Sequence, residues 1–326
     1  MEDRLQDLLR IALAYQVTDI HFSLLSQKEE VAIEMRVHGT MEQLKPQEDD
    51  LRLFHYLMYR ANLDLSRISV PQTGSFEEEV DGTVLSLRFA LVTSYRLTSG
   101  VLRILNHSSR LQIDDLTRDR QAQGFLHDIL QHRTGLFVLS GPTGSGKTTS
   151  LYTLLNSVSG RKIYTLEDPV EVINPAYVQL QINDKQHMSY AEGIKQLMRH
   201  DPDIIMIGEI RDSEAAVMAV RCALTGHLVL TSLHASSCTS AILRLLDLGV
   251  KDYQLKDVLG GISNQRLYPC SQGMTGIYEI MDRKEVDYWF ANKETSEDFI
   301  PLSAKASFAA ANGIIEKMAA AADFTF

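Results

Sequence analysis

Apolar residues in the first hundred positions recur with two different periods. Leu5, Leu8, Leu9 and Ala12 share one helical face, so an amphipathic helix opens the chain. Ile20, Phe22 and Leu24 then alternate with polar neighbours. Val31, Ile33, Met35 and Val37 do the same, with Glu34 and Arg36 turned the other way. Period two marks half-buried strands, here joined as a hairpin. A polar helical stretch follows around 47–62, and further strands fit 73–79, 84–91 and 100–105. Residues 1–105 are therefore expected to form a small α+β domain with an antiparallel sheet. The polar, heavily charged segment 106–120 has the composition of an interdomain linker. From 121 the pattern changes to short apolar runs at 136–140, 162–166, 204–207 and 228–232 with helices between them, the signature of a mainly parallel α/β core over 121–270. A helix over 190–200 carries a capping box, Ser189 with Glu192, and an apolar face of Ile194, Leu197 and Met198. Others cover 214–224, after Asp212-Ser213 and before Gly226, and 239–248, stopping at Gly249. Beyond 270 the chain turns alanine-rich, and 271–326 is expected to be a helical region.

Charge and cysteine usage narrow the classes. The formal net charge of −10 argues against a binder of nucleic-acid backbones, so no direct nucleic-acid contact is expected. Cys222, Cys238 and Cys270 show no C-x-x-C spacing; they are expected to be reduced, inert thiols, and zinc is not expected. The opening residues lack the pattern of a signal peptide, and no apolar run approaches the ~20 residues that span a bilayer. The expectation is a cytoplasmic protein that meets a membrane only through a partner.

One segment carries the chemistry. Gly141, Pro142, Thr143, Gly144, Ser145, Gly146, Lys147 and Thr148 form a complete G-x-x-x-x-G-K-[ST] phosphate loop, with Thr149 next in line. The glycines let successive N–H groups converge on phosphate oxygens. Lys147 supplies charge for the β- and γ-phosphates, Thr148 offers a hydroxyl to Mg²⁺, and the following helix adds its dipole. Context agrees: Leu136-Phe137-Val138-Leu139 suits a buried strand, and Leu151, Leu154, Leu155 and Val158 mark the helix. Glu209 ends the apolar run 204–207, where a carboxylate at the carboxyl end of a strand lies beside the loop. Glu167-Asp168-Pro169-Val170-Glu171 places three carboxylates in five residues, which fits a metal-facing or water-facing edge. His227 and His234 bracket another strand. Together they fit a neutral donor near the γ-phosphate or a relay to the sheet core, and their spacing does not make a metal site.

These motifs together resemble the secretion ATPases of type II secretion and type IV pilus assembly. The matching segments include Thr18-Asp19-Ile20-His21, Arg36-Val37-His38-Gly39, Pro71-Gln72-Thr73-Gly74, Leu87-Arg88-Phe89 and Leu102-Arg103-Ile104-Leu105. They continue through Gly141 to Thr149, Leu166 to Glu171, Asp201 to Asp212, Thr225 to His234 and Gln265-Arg266-Leu267. The short amino-terminal region looks most like the competence-pseudopilus assembly ATPase of Gram-positive bacteria. The resemblance implies a RecA-like P-loop ATPase core preceded by a small α+β, PAS-like domain. It implies ATP and Mg²⁺ as ligands, a homo-hexameric ring and a polytopic inner-membrane platform protein as partner. Glu209 would be an atypical Walker B carboxylate near Mg²⁺, and Glu171 the general base. His234 would sense nucleotide state, and His227 would open the histidine box. Arg88 and Arg103 would reach toward phosphates, with 106–120 as hinge. Departures from the family pattern are a lone Cys270 where many relatives carry a four-cysteine zinc insert, His38 for an acidic residue and Thr73 for aspartate. Competing readings are a RecA-like nucleic-acid motor, a pilus-retraction ATPase of the same family and a small-molecule kinase.

Overall fold

The computed structural model describes residues 1–15, 17–25, 30–37, 40–105, 111–182, 188–271, 273–318 and 320. The chain divides into two compact units: Met1–Ser109 with Glu171–Ile173, and Arg110–Val170 with Asn174–Phe326. The expected turn at His38-Gly39 and residues 106–110 of the expected hinge lie outside the described residues. Among the described residues, no helix is long and apolar enough to cross a membrane.

In the first unit the strands are β1 (Asp19–Leu25), β2 (Glu30–Val37), β3 (Thr40–Gln43), β4 (Gln72–Val80), β5 (Thr83–Thr93) and β6 (Leu97–Ile104). They form one antiparallel sheet in the order β3-β2-β1-β6-β5-β4. Helices α1 (Glu2–Ala14) and α2 (Asp50–Arg60) bury their apolar stripes against it. Ile20, Phe22, Ile33, Met35, Leu87 and Phe89 meet Leu5, Leu8, Leu9, Leu53, Phe54 and Leu57 in this core. Phe22, Phe54 and Phe89 pack as a triad with centroids 5.7–6.2 Å apart. Gly100 makes room for it, since a Cβ there would stand 2.6 Å from the Phe89 ring and 2.9 Å from that of Phe54.

The second unit holds β7 (Gly135–Ser140), β8 (Ile163–Glu167), β9 (Val178–Gln181), β10 (Ile204–Ile207), β11 (Leu228–Leu233), β12 (Leu259–Cys270) and β13 (Gly273–Met281). Their order is β13-β12-β7-β11-β10-β8-β9. All neighbours run parallel except β12 and β13. Strands β7, β8, β10 and β11 are buried at nearly every residue, as a sheet covered on both faces requires. The helices are α3 (Arg120–Ile129), α4 (Lys147–Asn156), α5 (Tyr190–Leu197), α6 (Ser213–Leu224), α7 (Cys238–Asp247), α8 (Asp252–Val258), α9 (Arg283–Asn292) and α10 (Leu302–Ala311).

Two expectations need correction. The segment from 271 onward is not helical throughout: Gly273–Met281 is an antiparallel edge strand of the core sheet, and helices α9 and α10 follow it. The second half of the expected linker packs as part of the second unit. Ile113 and Leu116 are buried there, and Gly276 N donates to Leu116 O at 2.9 Å. Its polar composition masked those two anchors.

Candidate functional site

The phosphate loop joins the end of β7 to the start of α4. Gly141, Gly144 and Gly146 have φ of +147°, +77° and +87°, values that L side chains rarely adopt. Gly141 is also pressed against β12: a Cβ would stand 2.5 Å from Gln265 O and 2.6 Å from Ser145 Oγ. Gly146 caps α4 in the left-handed conformation, so the first N–H groups of the helix face the loop. Pro142, Thr143, Gly144, Thr148 and Thr149 are exposed, whereas Ser145 is buried. Lys147 Nζ donates to Gly141 O at 3.0 Å and Pro142 O at 2.8 Å. Burial holds the Lys147 ammonium below its ordinary pKa; Glu209 opposes that shift and the Arg266 charge adds to it. Lys147 and Glu209 are thus electrostatic neighbours.

The carboxyl ends of β8, β10 and β11 present the acidic and basic groups. Gly208 N donates to Leu166 O at 2.8 Å and Ser232 Oγ donates to Gly208 O at 2.6 Å, which fixes the turn that carries Glu209. Glu209 then lies between Arg211 Nη2 at 3.1 Å and His234 Nε2 at 3.4 Å. Arg211 Nη1 also reaches Asp168 Oδ2 at 3.0 Å. Hydrogen bonding to Glu209 raises the Arg211 pKa against the opposing effect of burial. The result is a chain of contacts, Asp168–Arg211–Glu209–His234, on the same sheet edge as the loop.

The structure brings Glu209 and His234 together at the carboxyl ends of the strands, the sheet edge from which the phosphate loop also leaves. It separates His227 from them, and the expectation for that residue is corrected. His227 precedes β11 and His234 follows it, so the full strand, about 20 Å, lies between them. His227 Nδ1 is 3.1 Å from both Thr225 Oγ1 and Cys222 O, at the end of α6. Two histidines flanking one strand in sequence sit at opposite edges of a sheet.

The three carboxylates of 167–171 do not form one edge either. Glu167 is 3% exposed and accepts from Tyr152 OH at 2.9 and 2.7 Å and from Thr165 Oγ1 at 2.6 Å. Asp168 pairs with Arg211. Glu171–Ile173 group with the first unit, where Glu171 Oε1 is 3.4 Å from Arg88 Nη2. Arg88 and Arg103 are directly opposite on β5 and β6. Arg103 Nε donates to Asp19 Oδ1 at 2.7 Å. Like charges facing across a strand pair repel, and Asp19 and Glu171 offset that here. Among the described residues, no group of three or more His, Cys, Asp or Glu side chains could hold a metal ion. Cys222 and Cys238 are buried, and burial pushes the Cys222 thiol up to about 12 and the Cys238 thiol in the same direction.

Sequence reasoning missed several contributors. Arg211 was visible as the next charge after Glu209, two residues on. Gln265 and Asn264, buried polar residues on β12, left no hydropathy signal. Gln265 Nε2 donates to Ser145 O at 2.7 Å, and Arg266 Nη1 to Gln265 O at 3.2 Å beside the loop.

A family model described as Type II/IV secretion system protein matches residues 1–320. The chain belongs to that family. It is 34% identical over 283 residues to the competence protein ComGA of Bacillus subtilis, covering 84% of this chain and 79% of the relative. The ComGA of Halalkalibacterium halodurans is 33% identical over 335 residues, covering 95% of each. The putative type II secretion system protein E of Escherichia coli is 35% identical over 265 residues, 80% of this chain and 53% of that longer protein. The Legionella pneumophila ATPase DotB shares the fold with a TM-score of 0.78 at 19% identity, covering 99% of this chain and 95% of that one. The pilus retraction motor PilT with bound ADP does so at 0.74 and 23% identity, covering 97% and 95%. The second unit is a RecA-like core, as the motifs implied.

Proposed function

We propose that this chain is an ATP-hydrolysing motor that drives assembly of a competence pseudopilus, or a related type II secretion filament, in the service of DNA uptake. The observation that carries the reading is the phosphate loop at the β7–α4 junction with Glu209 on the same edge of the parallel sheet. Phosphoryl transfer asks little covalent chemistry of a protein and much positioning and charge stabilisation. The loop amides and the α4 dipole hold the triphosphate, and Lys147 leaves its two loop carbonyls for the β- and γ-phosphates. Glu209, held by Arg211 and His234, orients the attacking water; His234 reports on the γ-phosphate through that same contact. Glu171 is the proposed general base, and Arg88 and Arg103 the proposed phosphate-reaching arginines.

The donors near the loop suit magnesium: the exposed Thr148 hydroxyl and the Glu209 carboxylate are hard oxygen ligands, and Mg²⁺ is commonly held by one or two such groups plus phosphates. Mg²⁺, when bound, neutralises charge on the phosphates. The working assembly is proposed to be a homo-hexamer at the cytoplasmic face of the membrane, engaging a polytopic platform protein. ComGA of two organisms as relatives over most of the chain supports the competence assignment.

The test is ATP turnover by purified chain beside Lys147→Ala and Glu209→Gln. Both variants are expected to fold with unchanged circular dichroism and to lose turnover by roughly a hundredfold or more. Undiminished hydrolysis by Lys147→Ala would refute the site. Mass measurement with a non-hydrolysable ATP analogue tests the ring, and a monomer under those conditions would rule the hexamer out.

A further inference from the structure

β12 carries a buried polar run that the phosphate chemistry leaves without a role. Ser263, Asn264 and Gln265 are at most 1% exposed, three polar residues in succession in the interior of the sheet. Burying such groups is costly unless each finds partners, and an apolar strand would pack as well. Successive strand residues face opposite sides of a sheet. On one side, Gln265 Nε2 donates to Ser145 O in the loop at 2.7 Å and to Ser150 Oγ on α4 at 3.2 Å. Ser150 Oγ is in turn 2.9 Å from Tyr278 OH. On the other side, Asn264 Nδ2 donates to Ser140 Oγ and to Ala235 O, each at 2.9 Å. Ser140 is the last residue of β7 before the loop, and Ala235 follows His234. Ser140 Oγ donates onward to Ser263 O at 3.0 Å. One amide nitrogen therefore ties the strand end that leads into the phosphate loop to the residue adjoining the Glu209–His234 pair.

We propose that Asn264 is a positioning residue that couples the Glu209–His234 cluster to the phosphate loop, while Gln265 braces the loop from the opposite face. A displacement of His234 moves Ala235 O, and the Asn264 amide passes it to Ser140 and so to Gly141. ATP and ADP, which differ at the γ-phosphate, then set different loop geometries. The inference rests on the ATPase reading of residues 141–148.

The experiment compares full-length wild type with Ser140→Ala, Asn264→Leu and the double variant. It measures steady-state kcat and KM, affinities for fluorescent mant-ATP and mant-ADP, and melting temperature. Expected are KM within about twofold of wild type, kcat lower by roughly tenfold, and an mant-ATP to mant-ADP affinity ratio that collapses toward one. The double variant should be no worse than the worse single, because both act on one path. A merely structural role would lower the melting temperature without separating kcat from KM. Unchanged kcat and nucleotide discrimination in both singles, or additive losses in the double, would overturn the coupling. If Asn264→Leu does not fold, Ser140→Ala decides alone, since it removes a single hydroxyl. Wild type that binds no mant-ATP defeats the ATPase reading itself; wild type that binds and turns over with indifferent variants defeats only the coupling.

Discussion

Gly141 and Gly144 lie in the same loop at positive φ, yet their substitution should have different costs. At Gly141 an added methyl would press on Gln265 O and Ser145 Oγ; at Gly144 nothing lies within 4 Å. Gly144→Ala should therefore cost about 1–2 kcal/mol of backbone strain and keep measurable ATP binding. Gly141→Ala adds backbone collision, and we expect about 3 kcal/mol or more together with loss of mant-ATP binding, read by denaturant unfolding and fluorescence titration. Lys147 yields a pH prediction. Its folded pKa lies below the ordinary 10.5 because burial disfavours the charged form. The unfolded chain thus holds that proton more tightly, so this residue burdens the fold at lower pH and the burden lifts as pH rises toward 10.5. Phosphate binding reverses the preference. ATP binding should take up a proton in the alkaline range below 10.5, and affinity should fall as pH rises through the lowered value. Calorimetry in two buffers of different ionisation enthalpy checks the uptake; its absence would mean that Lys147 does not face phosphate. The loop residues were legible in the sequence because their roles depend on backbone geometry within eight positions. The place of His227 was legible too, since it precedes the run 228–232 and the amino end of a strand parallel to β7 lies away from the loop; its bonds to Thr225 and Cys222 were not.

At the scale of elements, β7, β10 and β11 announce themselves as unbroken apolar runs, and α5 and α6 by caps at Ser189 and Asp212 whose side chains accept from Glu192 N and Ala215 N. β12 and β13 gave no such signal. The amides of Asn264 and Gln265 reach partners distant in sequence while Ser263 Oγ and Gln265 Oε1 have none, and Gly273–Met281 sits in a segment whose later alanines indicate helix. Glu279 on β13 shows what that strand does. It is 3% exposed, and its carboxylate accepts from Cys238 N at 2.6 Å and Leu302 N at 2.8 Å, the first-turn amides of α7 and α10. A carboxylate shared by two helix N-termini is stabilised by both dipoles. Glu279→Gln removes the charge and turns an amide N–H₂ toward a backbone donor. We expect about 2–4 kcal/mol lower stability by urea unfolding, with the loop residues untouched. An unchanged midpoint would show that α7 and α10 are held by packing alone.

At the scale of the whole molecule there are two compact units, the first cored by Phe22, Phe54 and Phe89, the second by the parallel sheet and by a smaller cluster of Tyr268, Ile277 and Leu302. Each should melt as its own cooperative unit. Because the phosphate loop belongs to the second, ATP at about a hundredfold excess over its Kd should stabilise that transition by about 2.7 kcal/mol. Scanning calorimetry with and without nucleotide distinguishes this from one shared transition. The linear chain already dictated the two periodicities, the loop at 141–148 and the carboxylate closing β10, since each is encoded by neighbours a few residues apart. Folding alone decided that Arg211 and His234 flank Glu209, that Glu167, Asp168 and Glu171 go to three different environments, and that β12 grips the loop. The physical reason is separation: Asn264 meets Ser140 across 124 positions and Gln265 meets Ser145 across 120, distances over which no local pattern can specify a partner.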